Sequence, residues 1–127
     1  MGYLRFPTIH GETVIFGCED DLWSVPAEGG RAWRLTAGVA EATSPMLSPD
    51  GTQVAFLGGD EGPFEVYVMP AEGGDPRRLT FDGVGAEAVA GWTRGEDGGQ
   101  EIVYASSVGR PFPRDVWLHK VAASGGA

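Results

Sequence analysis

A serine hydrolase needs a hydroxyl nucleophile, a histidine to take its proton and an acid to orient that histidine. The chain carries serines, aspartates and two histidines, His10 and His119. Their settings argue against such a triad. No Gly-x-Ser-x-Gly turn is present to hold a nucleophile at the tip of a sheet. His10 precedes Gly11 in a turn, and His119 lies next to the end of an expected strand, so both read as surface or turn residues. Cys18, the single cysteine, sits in an apolar run with no basic neighbour in sequence to lower its pKa, which fits inert packing better than nucleophilic work.

Metal and phosphate chemistry are equally poorly supported. Glu19-Asp20-Asp21 is acidic but lacks the alternating oxygen ligands and the turn glycine of a calcium loop, so it reads as a solvated turn. The glycine pairs at 29-30, 73-74 and 125-126 are never followed by Lys-Ser/Thr, as a phosphate loop requires. They read as turns. The expectation is therefore no catalytic residue, no cofactor and no metal ligand in this chain.

The elements that would position any site are set out most clearly by Ser44 to Thr80. Four short apolar segments alternate there with turn residues. Pro45 to Leu47 leads into Ser48-Pro49-Asp50-Gly51, in which Pro presets φ, Asp bonds its own backbone and Gly accepts positive φ. Gln53 to Leu57 and Phe64 to Met69 follow, the latter rich in β-branched and aromatic residues. Glu72-Gly73-Gly74-Asp75 then turns the chain into Pro76 to Phe81. Four antiparallel strands in about 40 residues make one blade of a β-propeller.

The unit repeats. Asp21 to Gly30 (DLWSVPAEGG) matches Glu65 to Gly74 (EVYVMPAEGG) at a constant spacing of 44 positions, 65 minus 21, and Arg34-Leu35-Thr36 matches Arg78-Leu79-Thr80 at the same spacing. A weaker third copy comprises Ala88 to Thr93, Glu101 to Ala105 and Asp115 to Lys120. An Arg-Leu-Thr strand should follow it and is absent from the 127 residues. The fold class is thus all-β: a β-propeller fragment of about three four-stranded antiparallel blades, the last lacking its outer strand. The blades span about 3-38, 43-82 and 86-127.

In chain order, Met1 and Gly2 form an unstructured start, and Tyr3 to Ile9 fills the inner-strand slot of the first blade, where Pro7 is tolerated at an edge. Glu12 to Cys18, Leu22 to Pro26 and Ala32 to Thr36 complete that blade. Ala37 to Thr43 and Asp82 to Glu87 link the blades, and Ser106 to Arg114 is the most irregular loop. Trp23, Tyr67 and Trp117 recur once per blade, which argues for packing between blades. Arg34 and Arg78 recur on outer strands as solvent-facing charges that discourage edge pairing. A central channel would be lined by the inner strands, around Phe6 to Ile9, Pro45 to Leu47 and Val89 to Gly91.

The net charge of −9, from 9 basic and 18 acidic residues, argues against nucleic acid and anionic membranes as partners, which call for Lys/Arg patches. No apolar run approaches the roughly 18 residues of a membrane span, and no signal-peptide pattern opens the chain. With one cysteine, a cytoplasmic location is expected. Fewer than three full blades cannot close a ring of about four to eight. Self-association through blade faces and open edges is expected, as a homodimer completing a six-bladed ring.

The Ser-Pro-Asp-Gly turn, Val54-Ala55-Phe56, the triplets Asp21-Leu22-Trp23, Glu65-Val66-Tyr67 and Asp115-Val116-Trp117, and the Gly-Gly to Arg-Leu-Thr tail resemble propeller repeats shared by Tol-system translocation proteins, prolyl-oligopeptidase-type enzymes and tricorn proteases. Phe6 to Trp23 (FPTIHGETVIFGCEDDLW) resembles more specifically the opening of the six-bladed N-terminal propeller of the tricorn protease family, and Gly109-Arg110-Pro111-Phe112 also fits. The resemblance implies a segment of a large hexameric cytoplasmic serine peptidase that trims peptides released by the proteasome. Its propellers act as channels or filters, and its catalytic residues lie in C-terminal domains that match nothing here. The implied role is a non-catalytic channel or filter segment. The alternative is a self-assembling scaffold or protein-interaction module with no peptidase attached; an independent hydrolase is a weaker third reading.

Overall fold

A computed structural model describes residues 4–36, 41–59, 62–81, 83–112 and 115–125. Met1, Gly2, the linker positions 37–40, Asp82, Pro113, Arg114 and Gly126 lie outside the described residues. The described residues form eleven strands and no helix. β1 (Leu4–His10), β2 (Thr13–Cys18), β3 (Asp21–Pro26) and β4 (Trp33–Arg34) make the first sheet in sequential order. β5 (Glu41–Leu47), β6 (Gln53–Gly59), β7 (Glu65–Pro70) and β8 (Arg77–Arg78) repeat that order in the second. β9 (Ala86–Arg94), β10 (Gln100–Ser106) and β11 (Trp117–Ala122) form the third, with β10 in the middle. Every pairing is antiparallel.

The turns behave as their residues dictate. Between β5 and β6 the Asp50 carboxylate accepts hydrogen bonds from Ser48 Oγ (2.7 Å), Thr52 N (3.0 Å) and Thr52 Oγ1 (2.8 Å). Gly51 takes φ +74°, a conformation that disfavours any residue with a Cβ. These bonds to the ionised form hold the Asp50 pKa down at about 2, the Thr52 amide contributing most.

The alternating pleat of β6 explains how the blades stack. Val54 and Phe56 point into a core shared with Ile15, Leu22, Leu35 and Met69. Ala55 and Leu57 point the opposite way, into a core with Val66, Leu79, Ile102 and Tyr104. The second blade is therefore buried on both faces, as the apolar run VAFL requires. Phe56, Ile15 and Leu22 lose all solvent contact, each burial stabilising by about 1.5–3 kcal/mol.

The outer strands are shorter than the sequence suggests. Ladder pairing stops at Trp23↔Arg34 and Tyr67↔Arg78 because side chains then replace backbone acceptors. Leu22 N donates to Thr36 Oγ1 (3.0 Å) and Val66 N to Thr80 Oγ1 (2.9 Å). The third sheet has no fourth strand among the described residues. The open face of the first blade carries Leu4 and Ile9, both exposed, beside half-buried Val14, Phe16 and Trp23.

Candidate functional site

The inner strands β1, β5 and β9 bring the expected channel residues together. β1 breaks its register between Arg5 and Thr8, and β5 between Thr43 and Met46. Within each break a residue of positive φ precedes proline: Phe6 (φ 51°) before Pro7, and Ser44 (φ 55°) before Pro45. Proline has no N–H to give a ladder, so a bulge is where a strand accommodates it. Pro7 thus sits both on the edge strand expected from sequence and in a bulge against β2, of the same kind as the bulge of β5 against β6. β9 shifts register between Val89 and Gly91.

Cross-blade hydrogen bonds fix these strands. Leu47 N donates to Thr8 Oγ1 (3.1 Å), and Trp92 Nε1 donates to the Met46 carbonyl (2.9 Å). Phe6, Pro7, Pro45, Met46, Ala88 and Val89 line an open cavity of about 230 Å³ together with Ser44. The lining holds apolar side chains, one hydroxyl and no titratable group. It can contact an extended chain through shape and apolar surface; it contains no acid, base or thiol nucleophile.

The remaining candidates are dispersed. His10 is the last residue of β1, paired with Thr13 across the Gly11-Glu12 turn and so one residue short of the turn position expected, and its ring packs over Gly51 of the next blade. His119 lies within β11, stacked on Tyr104 with ring centroids 5.5 Å apart and its Nε2 3.3 Å from the Ser106 carbonyl. Cys18 is a half-buried free thiol at the end of β2. In the acidic cluster, Glu19 adopts positive φ and Asp21 is engaged by Thr36 and Arg34. Among the described residues, no group of three His, Cys, Asp or Glu side chains is placed to hold a metal ion.

The once-per-blade aromatics separate in the structure. Tyr67 stacks on Phe56 at 5.5 Å and packs against the core between the first two blades. Trp23 is half-buried opposite Phe16, the same cross-strand relation on the first blade's open face. Trp117 is 54% exposed, contrary to the expected packing between blades. The Arg110 guanidinium lies 4.1 Å from its ring centroid, and its Nε1 donates to Asp115 Oδ1 (3.1 Å).

Arg34 and Arg78 are also more than solvent-facing charges. Arg78 donates to Glu65 Oε2 (2.9 Å) and to the Thr80 carbonyl (2.8 Å). Thr80 Oγ1 donates to Glu65 Oε1 (2.9 Å). The first blade repeats this clasp, with Thr36 Oγ1 donating to Asp21 Oδ1 (2.7 Å) and Arg34 3.7 Å from Asp21 Oδ2. Sequence reasoning missed the clasp, although its signal was present: the acid and the Arg-Leu-Thr recur at the same spacing. In the third blade, Arg110 takes the place of the outer-strand arginine, donating to Asp115 Oδ2 (2.8 Å). That bond, with a smaller contribution from Trp117, holds the Asp115 carboxyl below the usual range.

A larger open cavity, about 520 Å³, lies between the second and third blades, where Pro63 and Phe64 face Arg110 and Pro111. The Gly-Arg-Pro-Phe stretch therefore sits at a junction between blades.

The family model for the tricorn protease N-terminal beta propeller domain matches residues 1–127. The chain belongs to this family. It is 44% identical over 124 residues to tricorn protease homolog 1 of Streptomyces coelicolor, the match covering 98% of this chain and 11% of that protein. It is 30% identical over 129 residues to a putative tricorn-like protease N-terminal subunit of Sulfurisphaera tokodaii, covering 98% of this chain and 63% of that protein. The crystal structure of the tricorn protease superposes with a TM-score of 0.78 over 94% of this chain and 12% of that one, at 23% identity, a likeness of fold. The chain thus spans about a tenth of the full tricorn relatives, within their N-terminal propeller. Among the described residues, no helix is long and apolar enough to cross a membrane.

Proposed function

We propose that this tricorn-type propeller segment is non-catalytic and forms part of a channel or filter wall for a serine peptidase that degrades peptides downstream of the proteasome in the cytoplasm. The observation that carries the reading is the inner-strand surface, where two matched bulges and β9 gather Phe6, Pro45, Met46 and Val89 around one open cavity. Such a surface suits sliding contact with extended chains, because it offers apolar area without charge to trap them. Nuclear magnetic resonance titration with unstructured oligopeptides tests it. Shifts concentrated at Phe6, Met46 and Val89 are expected; shifts confined to other surfaces, or none at millimolar peptide, overturn the reading. Peptide hydrolysis by the isolated chain, abolished by a serine-directed inhibitor, would overturn its non-catalytic part.

A second reading is favoured by the relative named as an N-terminal subunit. In it, the propeller works as a separate self-assembling scaffold or interaction module. Two half rings then close on each other through the apolar open face of the first blade and the far face of the third.

A further inference from the structure

Thr8, Met46 and Trp92 occupy the same slot on three successive inner strands, standing opposite Ile15, Ala55 and Ile102 on the neighbouring second strands. The outer two converge on the middle one. Leu47 N donates to Thr8 Oγ1 (3.1 Å), and the Met46 carbonyl accepts from Trp92 Nε1 (2.9 Å). That N–H and that carbonyl belong to a single peptide group. The Met46-Leu47 unit of the second blade is therefore held from the first blade at its nitrogen and from the third at its oxygen. Met46 itself lines the inner-strand cavity, whereas Thr8 and Trp92 do not, and its sulfur packs against Gly91, 3.9 Å from where a Cβ would stand. The residues of positive φ sit just upstream, Phe6 two positions before Thr8 and Ser44 two before Met46. Non-glycine residues persist in that conformation only where surrounding contacts over-determine the backbone. The clamp supplies such contacts directly beyond each bulge.

We infer that Thr8 and Trp92 are positioning residues of the channel wall, which together hold the Met46-Leu47 peptide group and so place the Met46 side chain and the Ser44 bulge where an extended peptide meets them. The inference rests on the channel reading proposed above and names the residues that give the wall its shape. The two act as a unit, because releasing either end of a planar peptide group frees it to rotate about the other. A peptide seated against Met46 is also felt at Trp92, since the indole N–H is bonded to the carbonyl of the residue it touches. Trp92 and Met46 pack against the same core between the second and third blades, so a shift of one is carried to the other by contact as well as by the hydrogen bond.

The test titrates the 127-residue chain with an unstructured oligopeptide and follows resonances of Met46 and of the Trp92 indole N–H. In the wild-type chain both should move with the same midpoint; an indole resonance that stays in place while Met46 shifts overturns the inference without any variant. Trp92→Phe keeps a ring but no donor, and Thr8→Val keeps the shape but no acceptor. Each should weaken peptide binding about fivefold, Thr8→Ser should restore it, and the double variant should lose less than the product of the two single losses. Thr80→Val, which loosens the outer-strand clasp and does not touch the cavity, should lower stability and leave peptide affinity unchanged, which separates positioning from general destabilisation. Wild-type affinity in both Thr8→Val and Trp92→Phe, or an equal loss in Thr80→Val, would overturn the inference alone. No shift at Phe6, Met46 or Val89 in the wild-type chain would overturn the channel reading and the inference with it.

Discussion

Thr80 Oγ1 donates to Glu65 Oε1 at 2.9 Å while accepting the Val66 N–H at 2.9 Å, so one hydroxyl closes the blade at both a carboxylate and the backbone. Thr36 does the same with Asp21 and Leu22 in the first blade. Thr80→Val keeps the volume but strands a buried amide and one oxygen of buried Glu65. It should cost about 1–3 kcal/mol, read as a lower urea midpoint with an unchanged slope. Thr80→Ser retains the hydroxyl and should restore most of the loss; equal stability of the Val and wild-type proteins would remove the clasp from the energetics of the fold.

Ser24 gives the opposite sign. It occupies the position that Val68 holds in the second blade, and its buried Oγ finds no hydrogen-bond partner among the described residues. Ser24→Ala removes an uncompensated hydroxyl and should stabilise by about 1 kcal/mol. Thermal or urea unfolding measures the gain, and a loss would mean that the hydroxyl is satisfied in solution.

Gly51 holds φ +74°, and a Cβ there would overlap the His10 ring. Gly51→Ala should lose about 1–2 kcal/mol from the left-handed backbone alone, plus a steric part. Adding His10→Ala should recover the steric part only. A double-mutant cycle with no coupling would separate the two turns that the structure stacks together.

Asp50 gives a pH dependence. Its folded pKa, about 2, lies below the unfolded value of 3.8, so its contribution is fully present above the unfolded value. It is lost as pH falls from there through about 2. Asp50→Asn should flatten the stability profile in that window and leave it parallel to wild type above pH 5. An unchanged profile would mean that the Ser48 and Thr52 bonds do not discriminate between the two protonation states.

Much of the architecture was legible because its determinants are local. Ser48-Pro49-Asp50-Gly51 specifies a turn by its own residues, and the continuous apolar run Val54 to Leu57 specifies a strand buried on both faces. The constant register between the first and second copies carried the topology. Features set by contacts distant in sequence were less legible. The exposure of Trp117 goes with its contact to Arg110 and with a β11 edge that has no partner strand among the described residues, neither of which is a property of the Asp-Val-Trp triplet. The clasp joins residues 15 positions apart through the third and fourth strands. The inner-strand segments named from sequence meet around one cavity, yet nothing at Phe6 and Ser44 signalled positive φ, since the proline that follows each favours extended backbone.

The open blade faces make the most direct claim about this chain in solution. Light scattering on a sizing column, across a range of concentrations, reads it as a mass. A discrete species of twice 13.4 kDa is expected, two half rings closing through their apolar faces. A stable, well-folded monomer at micromolar concentration would contradict it.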